Sequence, residues 1–318
     1  MANPRSRSLQ ADALLLLVTL IWGSTFLLVQ KTVMLYPVFA FLSLRFVLAS
    51  LVLLLLFGRR LGSLTPRMWL AGLATGFFLF AGYAFQTIGL QYTTSSKAGF
   101  ITGLSVVIVP VLSATLLRRV PENRVLMGVV LSTIGLALLL LPESAGLLLR
   151  PGSAGLVTLG ANLMPSRGDL IVLCCAVCFA LHIVAVSRFA PRTDALALTI
   201  VQVAAVAVFS AISATLAGEW QQPPLPPVIG AAVFTGVLAT ALAFAVQNSV
   251  QVWTTATHTA LIFASEPVFA GIFGYWLGGE RLAGWGLVGS ALILTGMLVA
   301  ELRALPTWRT NPLGGDTT

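Results

Sequence analysis

The chain has 318 residues, of which 58% are hydrophobic and only 9% charged, with a mean hydropathy of +0.97. A soluble domain carries roughly 25% charged residues, so this composition leaves too little polar surface for water and excludes a soluble globular fold. The net charge of +8 does not point to nucleic acid, because the basic residues stand singly or in pairs between apolar runs, with no basic stripe interleaved with aromatics.

A bilayer-spanning helix needs roughly 20 mostly apolar residues. Taken in chain order, ten segments qualify: 12–30, 38–57, 68–90, 98–117, 125–141, 170–188, 195–217, 228–247, 257–277 and 284–302. The first follows "MANPRSRSLQ", a charged opening like that of a signal peptide. No small-residue cleavage site follows and further spans do, so it reads as a retained helix. Ten crossings put both termini on one side. With cytoplasmic termini, twelve basic residues fall inside (Arg59, Arg60, Arg118 and Arg119 among them). Five fall outside: Lys31, Lys97, Arg150, Arg167 and Arg281. That excess sets both termini in the cytoplasm.

The longest connection, 142–168, is rich in Gly, Ser and Pro and lies between spans five and six. It divides the chain into a first five-helix repeat at 1–142, a linker at 143–168, a second repeat at 169–305 and a tail at 306–318. The halves resemble one another. "ADALLLLVTLIWGSTFLLVQK" (11–31) matches "GDLIVLCCAVCFALHIVAVSR" (168–188), and "QTIGLQYTTSSK" (86–97) aligns without gaps on "QNSVQVWTTATH" (247–258). In the second alignment Gln86 falls on Gln247, Tyr92 on Trp253 and Lys97 on His258. The same offset of 161 places Gly128 on Gly289 and Gly135 on Gly296. Repeats of five spans run in opposite orientations. Inverted repeats of this kind mark transporters, whose halves exchange conformations to open on alternate sides.

Several stretches carry a family resemblance: "IWGSTFLLVQ" in span one, "LRF" in span two, "FQTIGLQYTTSSKAGFITGLSVVIVP" across spans three and four, and "ALIFASEPVFAGIFGYWLGGERLAGWGLVGSALILTGMLVAE" across spans nine and ten. They resemble the EamA-type branch of the drug/metabolite transporter superfamily over nearly the whole chain. The resemblance implies an all-α integral membrane fold, ten helices around a central cavity, alternating access, and efflux of metabolites, amino acids or drugs across a bacterial inner membrane. The first half departs from the pattern after span four, where "RRVPENR" stands opposite "LGGERLAG", so the Glu-Arg pair occurs once.

Ionisable groups in the hydrocarbon region cost roughly 2.5–3.5 kcal/mol on insertion scales and face a cavity or a partner. Glu266 falls near the middle of span nine, followed by Pro267, whose ring removes the backbone bond to the Phe263 carbonyl. It is either a proton-coupling or substrate-cation site, or a carboxylate that fixes helix packing. Arg45 lies seven or eight residues into span two, opposite Gln202 in the aligned second half; it either counters an anionic group or snorkels to the outer interface. His182 aligns with Thr25 and is expected to line the cavity. Cys175, Cys178 and His182 share one helical face, but a single helix makes a poor soft-metal path. Trp22, Tyr83 and Gln86 sit deep enough for a cavity role, with Gln247 at a span end and Trp253 expected as an interfacial anchor. Gly72 and Gly76, Gly99 and Gly103, and Gly274 and Gly278 give small-xxx-small packing faces.

No phosphate-binding glycine loop, HExxH or nucleophile elbow occurs. The expectation is a secondary transporter that needs no cofactor or metal, acts on a small molecule in the bilayer, and takes protons as coupling ion. Proton-independent uptake or exchange is the alternative. An intramembrane enzyme or structural subunit would need convergent His, Asp or Glu at depth, and the spans offer only Glu266, His182 and Arg45. The sequence sets no oligomeric state.

Overall fold

The structure is a computed structural model that describes residues 4–116, 123–141, 166–189, 194–250, 262–282 and 284–301. Every regular element among them is a helix, as expected where backbone polar groups have no water to bond. Trp253, His258, most of the linker and the C-terminal tail lie outside the described residues.

Helix α1 (Pro4–Val33) and helix α2 (Val38–Phe57) contain the first two predicted spans, with Pro37 just before α2, where it stops α1 from running on. Helix α3 (Pro66–Gly89) opens on a proline, whose missing N–H is no loss in a first turn. The fourth span is two helices, α4 (Ser95–Gly103) and α5 (Ser105–Leu116), and Pro110 lies within the second. Helices α6 (Asn123–Leu140) and α7 (Arg167–Phe189) flank the linker, and α8 (Ala195–Leu216) starts on an Asp194 cap. The eighth span departs from the expected uniform helix. It runs as α9 (Pro226–Val233), a π-helical stretch Phe234–Leu242, and α10 (Ala243–Val250). Helices α11 (Glu266–Gly278) and α12 (Gly284–Glu301) complete the described chain.

Eight of the described helical segments are long and apolar enough to cross a membrane, and Gly284–Ala300 is a shorter apolar helix. Their outer faces are apolar as well: Leu55 is 85% and Leu216 84% exposed. Side chains of that kind need lipid as their solvent, so this is a multi-pass membrane protein.

The interior is organised by close helix contacts. Helices α6 and α12 pack antiparallel through their glycines. A Cβ on Gly128 would lie 2.6 Å from the Gly296 carbonyl oxygen, and one on Gly135 would lie 2.6 Å from that of Gly289. Between them the Ser132 hydroxyl donates to the Ile293 carbonyl at 3.4 Å. Ser132 and Ile293 are themselves 161 residues apart, while Gly128 meets the equivalent of Gly135 and Gly135 meets the equivalent of Gly128, so the interface is reciprocal about Ser132 and Ile293. Elsewhere Gly72 and Gly76 of α3 receive Val201 and Ala205 of α8 at 2.5 and 2.6 Å from a notional Cβ. Gly76 also lies against the Gln202 carbonyl, as Gly236 of the π-helical stretch lies against the Arg45 carbonyl.

Candidate functional site

The segment around Glu266 has a sharper break than its proline alone suggests. Residues 262 and 263 are helical, Ala264 and Ser265 form a turn, and α11 begins anew at Glu266. The Ser265 N–H and hydroxyl both donate to the Ile262 carbonyl, at 3.0 and 2.6 Å, which closes the turn. Pro267 therefore starts a helix rather than bending one. Glu266 lies in the first turn, where the positive end of the helix dipole favours a carboxylate. It is partly buried, and its carboxylate has no hydrogen-bond or ion-pair partner among the described residues. Three glycines let neighbouring helices close on this turn. Gly23 of α1 touches Phe269 and the Glu266 carbonyl, Gly99 of α4 meets Ala270, and Gly103 meets Pro267.

Arg45 is only 3% exposed and does not snorkel to either surface. Its guanidinium lies over the Tyr83 ring at 4.7 Å and the Phe46 ring at 5.1 Å, favourable cation–π placements. Its Nε and Nη2 donate to the Thr240 hydroxyl at 3.4 and 3.3 Å. That hydroxyl in turn donates to the Thr235 carbonyl at 2.8 Å, five residues back, as the π-helical spacing permits. Trp22 of α1 grips the same stretch, its indole N–H donating to the Ala239 carbonyl at 2.7 Å. A wider helical turn offers its carbonyls to side chains from neighbouring helices, and π-bulges recur at functional positions. The Trp22 ring also packs on Phe263 at 5.3 Å and on Phe244 at 6.0 Å.

Tyr83 joins these groups. Its ring packs on Phe46 at 4.8 Å and edge-on to Phe179 of α7 at 5.2 Å, and both Arg45 and Glu266 lie within its electrostatic reach. One turn along α3, the Gln86 amide donates to the Thr102 hydroxyl at 3.3 Å, and that hydroxyl contacts the Cys175 sulfur at 3.9 Å. Glu266, Arg45, Trp22, Tyr83 and Gln86 thus belong to one neighbourhood.

The other predicted residues stand apart from it. The Thr25 hydroxyl donates to its own helix at the Trp22 carbonyl, 2.7 Å away. The His182 Nδ1 lies 3.0 Å from the Thr75 carbonyl; a carbonyl only accepts, so Nδ1 carries the proton and ties α7 to α3. Gln202 is buried at the α3–α8 contact, and the buried Gln247 Oε1 has no hydrogen-bond partner among the described residues. Cys175 and His182 turn to different neighbours, Thr102 and Thr75. A surface recess of about 430 Å³, lined by Leu54 to Arg60, contains none of these residues.

A second polar set ties the helices at one end. Buried Asp169, in the first turn of α7, accepts from the Thr93 hydroxyl, and its Oδ2 lies 3.8 Å from the Lys97 ammonium. The Gln30 amide donates to the Thr93 carbonyl at 2.7 Å, and Gln91 to the Val33 carbonyl at 3.1 Å. Glu280 accepts from the N–H groups of Ser95 and Ser96 at 2.7 and 2.9 Å and from the Ser96 hydroxyl at 2.5 Å. It thereby caps α4 from another helix's loop, a place it reaches because Gly279 takes the left-handed conformation at φ +67°. The lone "GGER" was visible in the sequence, but its destination was not.

The sequence profile of the EamA-like transporter family matches residues 9–141 and again residues 166–301. An uncharacterized transporter of Archaeoglobus fulgidus is 32% identical over 297 residues, 93% of this chain and 87% of that protein. The uncharacterized transporter YetK of Bacillus subtilis is 34% identical over 119 residues, 36% of each chain. A solved crystal structure with 22% sequence identity superimposes with a TM-score of 0.62, covering 92% of this chain and 96% of that one.

Proposed function

From the premise that the chain belongs to the EamA-like transporter family, we propose that it is a secondary transporter exporting small molecules by alternating access, with Glu266 as the proton-coupling carboxylate. The observation that carries the reading is a carboxylate with no protein partner among the described residues, held at a helix start within a predicted span. A group so placed is free to exchange a proton for a substrate cation or for a substrate-induced rearrangement.

The chain works as two five-helix repeats, 1–142 and 169–305, in opposite orientation, with both termini in the cytoplasm of a bacterial inner membrane. The repeated profile match supports this arrangement. So do the reciprocal contacts of α6 with α12 and the pair of glycine contacts to the Gln202 and Arg45 carbonyls. In this orientation the Asp169–Thr93–Lys97 and Glu280–Ser95–Ser96 ties close the outer end. The neighbourhood of Glu266, Arg45, Tyr83 and Trp22 receives the cargo.

Cells lacking the protein and cells overproducing it provide the test. The overproducer should release at least one small metabolite faster than the deletion strain. Identical release profiles under conditions where the protein is present in the membrane would contradict export.

A further inference from the structure

Helix α2 ends at Phe57, and a short 3-10 turn, Gly58–Ser63, leads the chain towards α3. The segments on either side are long and apolar enough to span a bilayer, so this turn lies where hydrocarbon gives way to water. The last turn of α2 presents Leu54, Leu55 and Leu56 outward, 40%, 85% and 55% exposed. Just beyond them stand Arg59 and Arg60, both exposed. The surface recess of about 430 Å³ lies here, lined by the run from Leu54 to Arg60. Small-ligand sites occupy roughly 300–1,000 Å³. Gly58 keeps the recess open, since a Cβ there would find only a Leu54 methyl, at 4.0 Å.

The two arginines are employed differently. Arg60 Nη1 donates to Asp194 Oδ2 at 2.8 Å, which fixes the turn against the start of α8. Asp194 also accepts from the Leu196 and Ala197 N–H groups, so its charge is taken up within the protein. The Arg59 guanidinium makes no hydrogen bond or ion pair among the described residues and gives the mouth of the recess a net positive charge. An arginine fork matches two oxygens of a phosphate, and the leucines beside it match an acyl chain.

We propose that this recess binds a phospholipid with an anionic headgroup, its phosphodiester on Arg59 and its acyl chains along Leu55 and Leu56. A choline headgroup would bring its ammonium beside Arg59 with Asp194 already engaged, whereas a glycerol headgroup brings no cation. Free phosphate offers the oxygens without the chains and binds more weakly. The assignment rests on the chain spanning a membrane, and it stands or falls independently of cargo, direction and proton coupling.

Full-length protein in neutral detergent is mixed with equal amounts of phosphatidylglycerol and phosphatidylcholine of one chain length, and the retained lipid is read by native mass spectrometry. Phosphatidylglycerol should be retained about fivefold over phosphatidylcholine, the size of one arginine's contribution at an anionic lipid surface. Arg59→Gln should bring the ratio close to one. Gly58→Leu keeps both arginines but fills the recess, and should lower phosphatidylglycerol retention as well. Arg281→Gln removes an exposed arginine beyond another span, one that lies over Tyr275, and should leave the ratio unchanged. Excess inorganic phosphate should not displace the lipid. Equal retention of the two lipids, an undiminished ratio in Arg59→Gln, unchanged retention in Gly58→Leu, an equal loss in Arg281→Gln, or displacement by phosphate would each overturn the proposal. The comparison of the two lipids needs only the wild-type chain, so poor folding of a variant does not rescue the idea.

Discussion

Single residues divide between those that meet in the neighbourhood of Glu266 and Arg45 and those that staple helices. Thr240 does both, because its hydroxyl accepts from Arg45 while donating within the π-helical stretch. Thr240→Val removes an acceptor that orients a buried cation. Hydrogen bonds to charged groups are worth about 1.5–3 kcal/mol, so the variant should lose roughly that much stability in denaturant titrations of the detergent-solubilised protein. His182 is expected from sequence to line a cavity, yet its Nδ1 holds the Thr75 carbonyl. Interhelical hydrogen bonds in membranes average about 0.6 kcal/mol, with a maximum near 1.7. His182→Leu should therefore lower stability by about 1 kcal/mol and leave substrate preference unaltered; a changed export profile would return His182 to the cargo site. The sequence made Glu266 and Arg45 stand out because charge is rare at depth. It was silent on Thr240, since threonine is common in these helices and a π-helical turn has no residue signature.

At the scale of elements, most spans were legible from hydropathy, and α2 matches its prediction residue for residue. The interruptions were harder. Pro267 suggested a bend, whereas a proline tolerated in a first turn becomes a start once Ser265 closes the turn before it. Helix ends depend on partners distant in sequence, which periodicity does not reveal. Glu280 caps α4 with three contacts, and cap residues are worth about 0.5–2 kcal/mol. Glu280→Ala should lower the unfolding midpoint accordingly, while Glu280→Gln should recover part of the loss by keeping acceptors. Asp194 caps α8 at a membrane end. Burial, the largest single influence, raises its pKa, but the Ala197 N–H, the Arg60 guanidinium and the Leu196 N–H together outweigh it and hold the carboxyl below its ordinary value. A depressed value means the cap stabilises fully above the ordinary carboxylate range and is lost as the pH falls through the native value. Asp194→Asn should thus differ from wild type at pH 7 and converge with it in strong acid, as thermal unfolding at a series of pH values would show.

Across the whole molecule, the repeat seen in the sequence reappears as contact geometry. The offset of 161 that aligns the glycines also relates the two sides of the α6–α12 interface. The interface is tight enough that Gly135→Val would drive a side chain into the Gly289 carbonyl. The helices must part, and the variant should fall in folded yield far more than Gly284→Val, where a Cβ meets open space. Which residues of each half meet at the centre was only partly legible, because facing depends on how the helices rotate against one another. Among the described residues, Arg45 and the Glu266 carboxyl lie at depth without pairing with each other, beneath an end tied by Asp169, Thr93 and Glu280. The proposed proton-driven alternating access would account for that arrangement. The most direct test reconstitutes the protein in liposomes carrying an internal pH dye and loaded with the metabolite found to be exported, then imposes a pH gradient. Substrate movement should be accompanied by proton movement in the opposite direction, and Glu266→Gln should abolish proton flux while retaining substrate exchange. Transport indifferent to the gradient, or proton coupling undiminished in Glu266→Gln, would contradict the account.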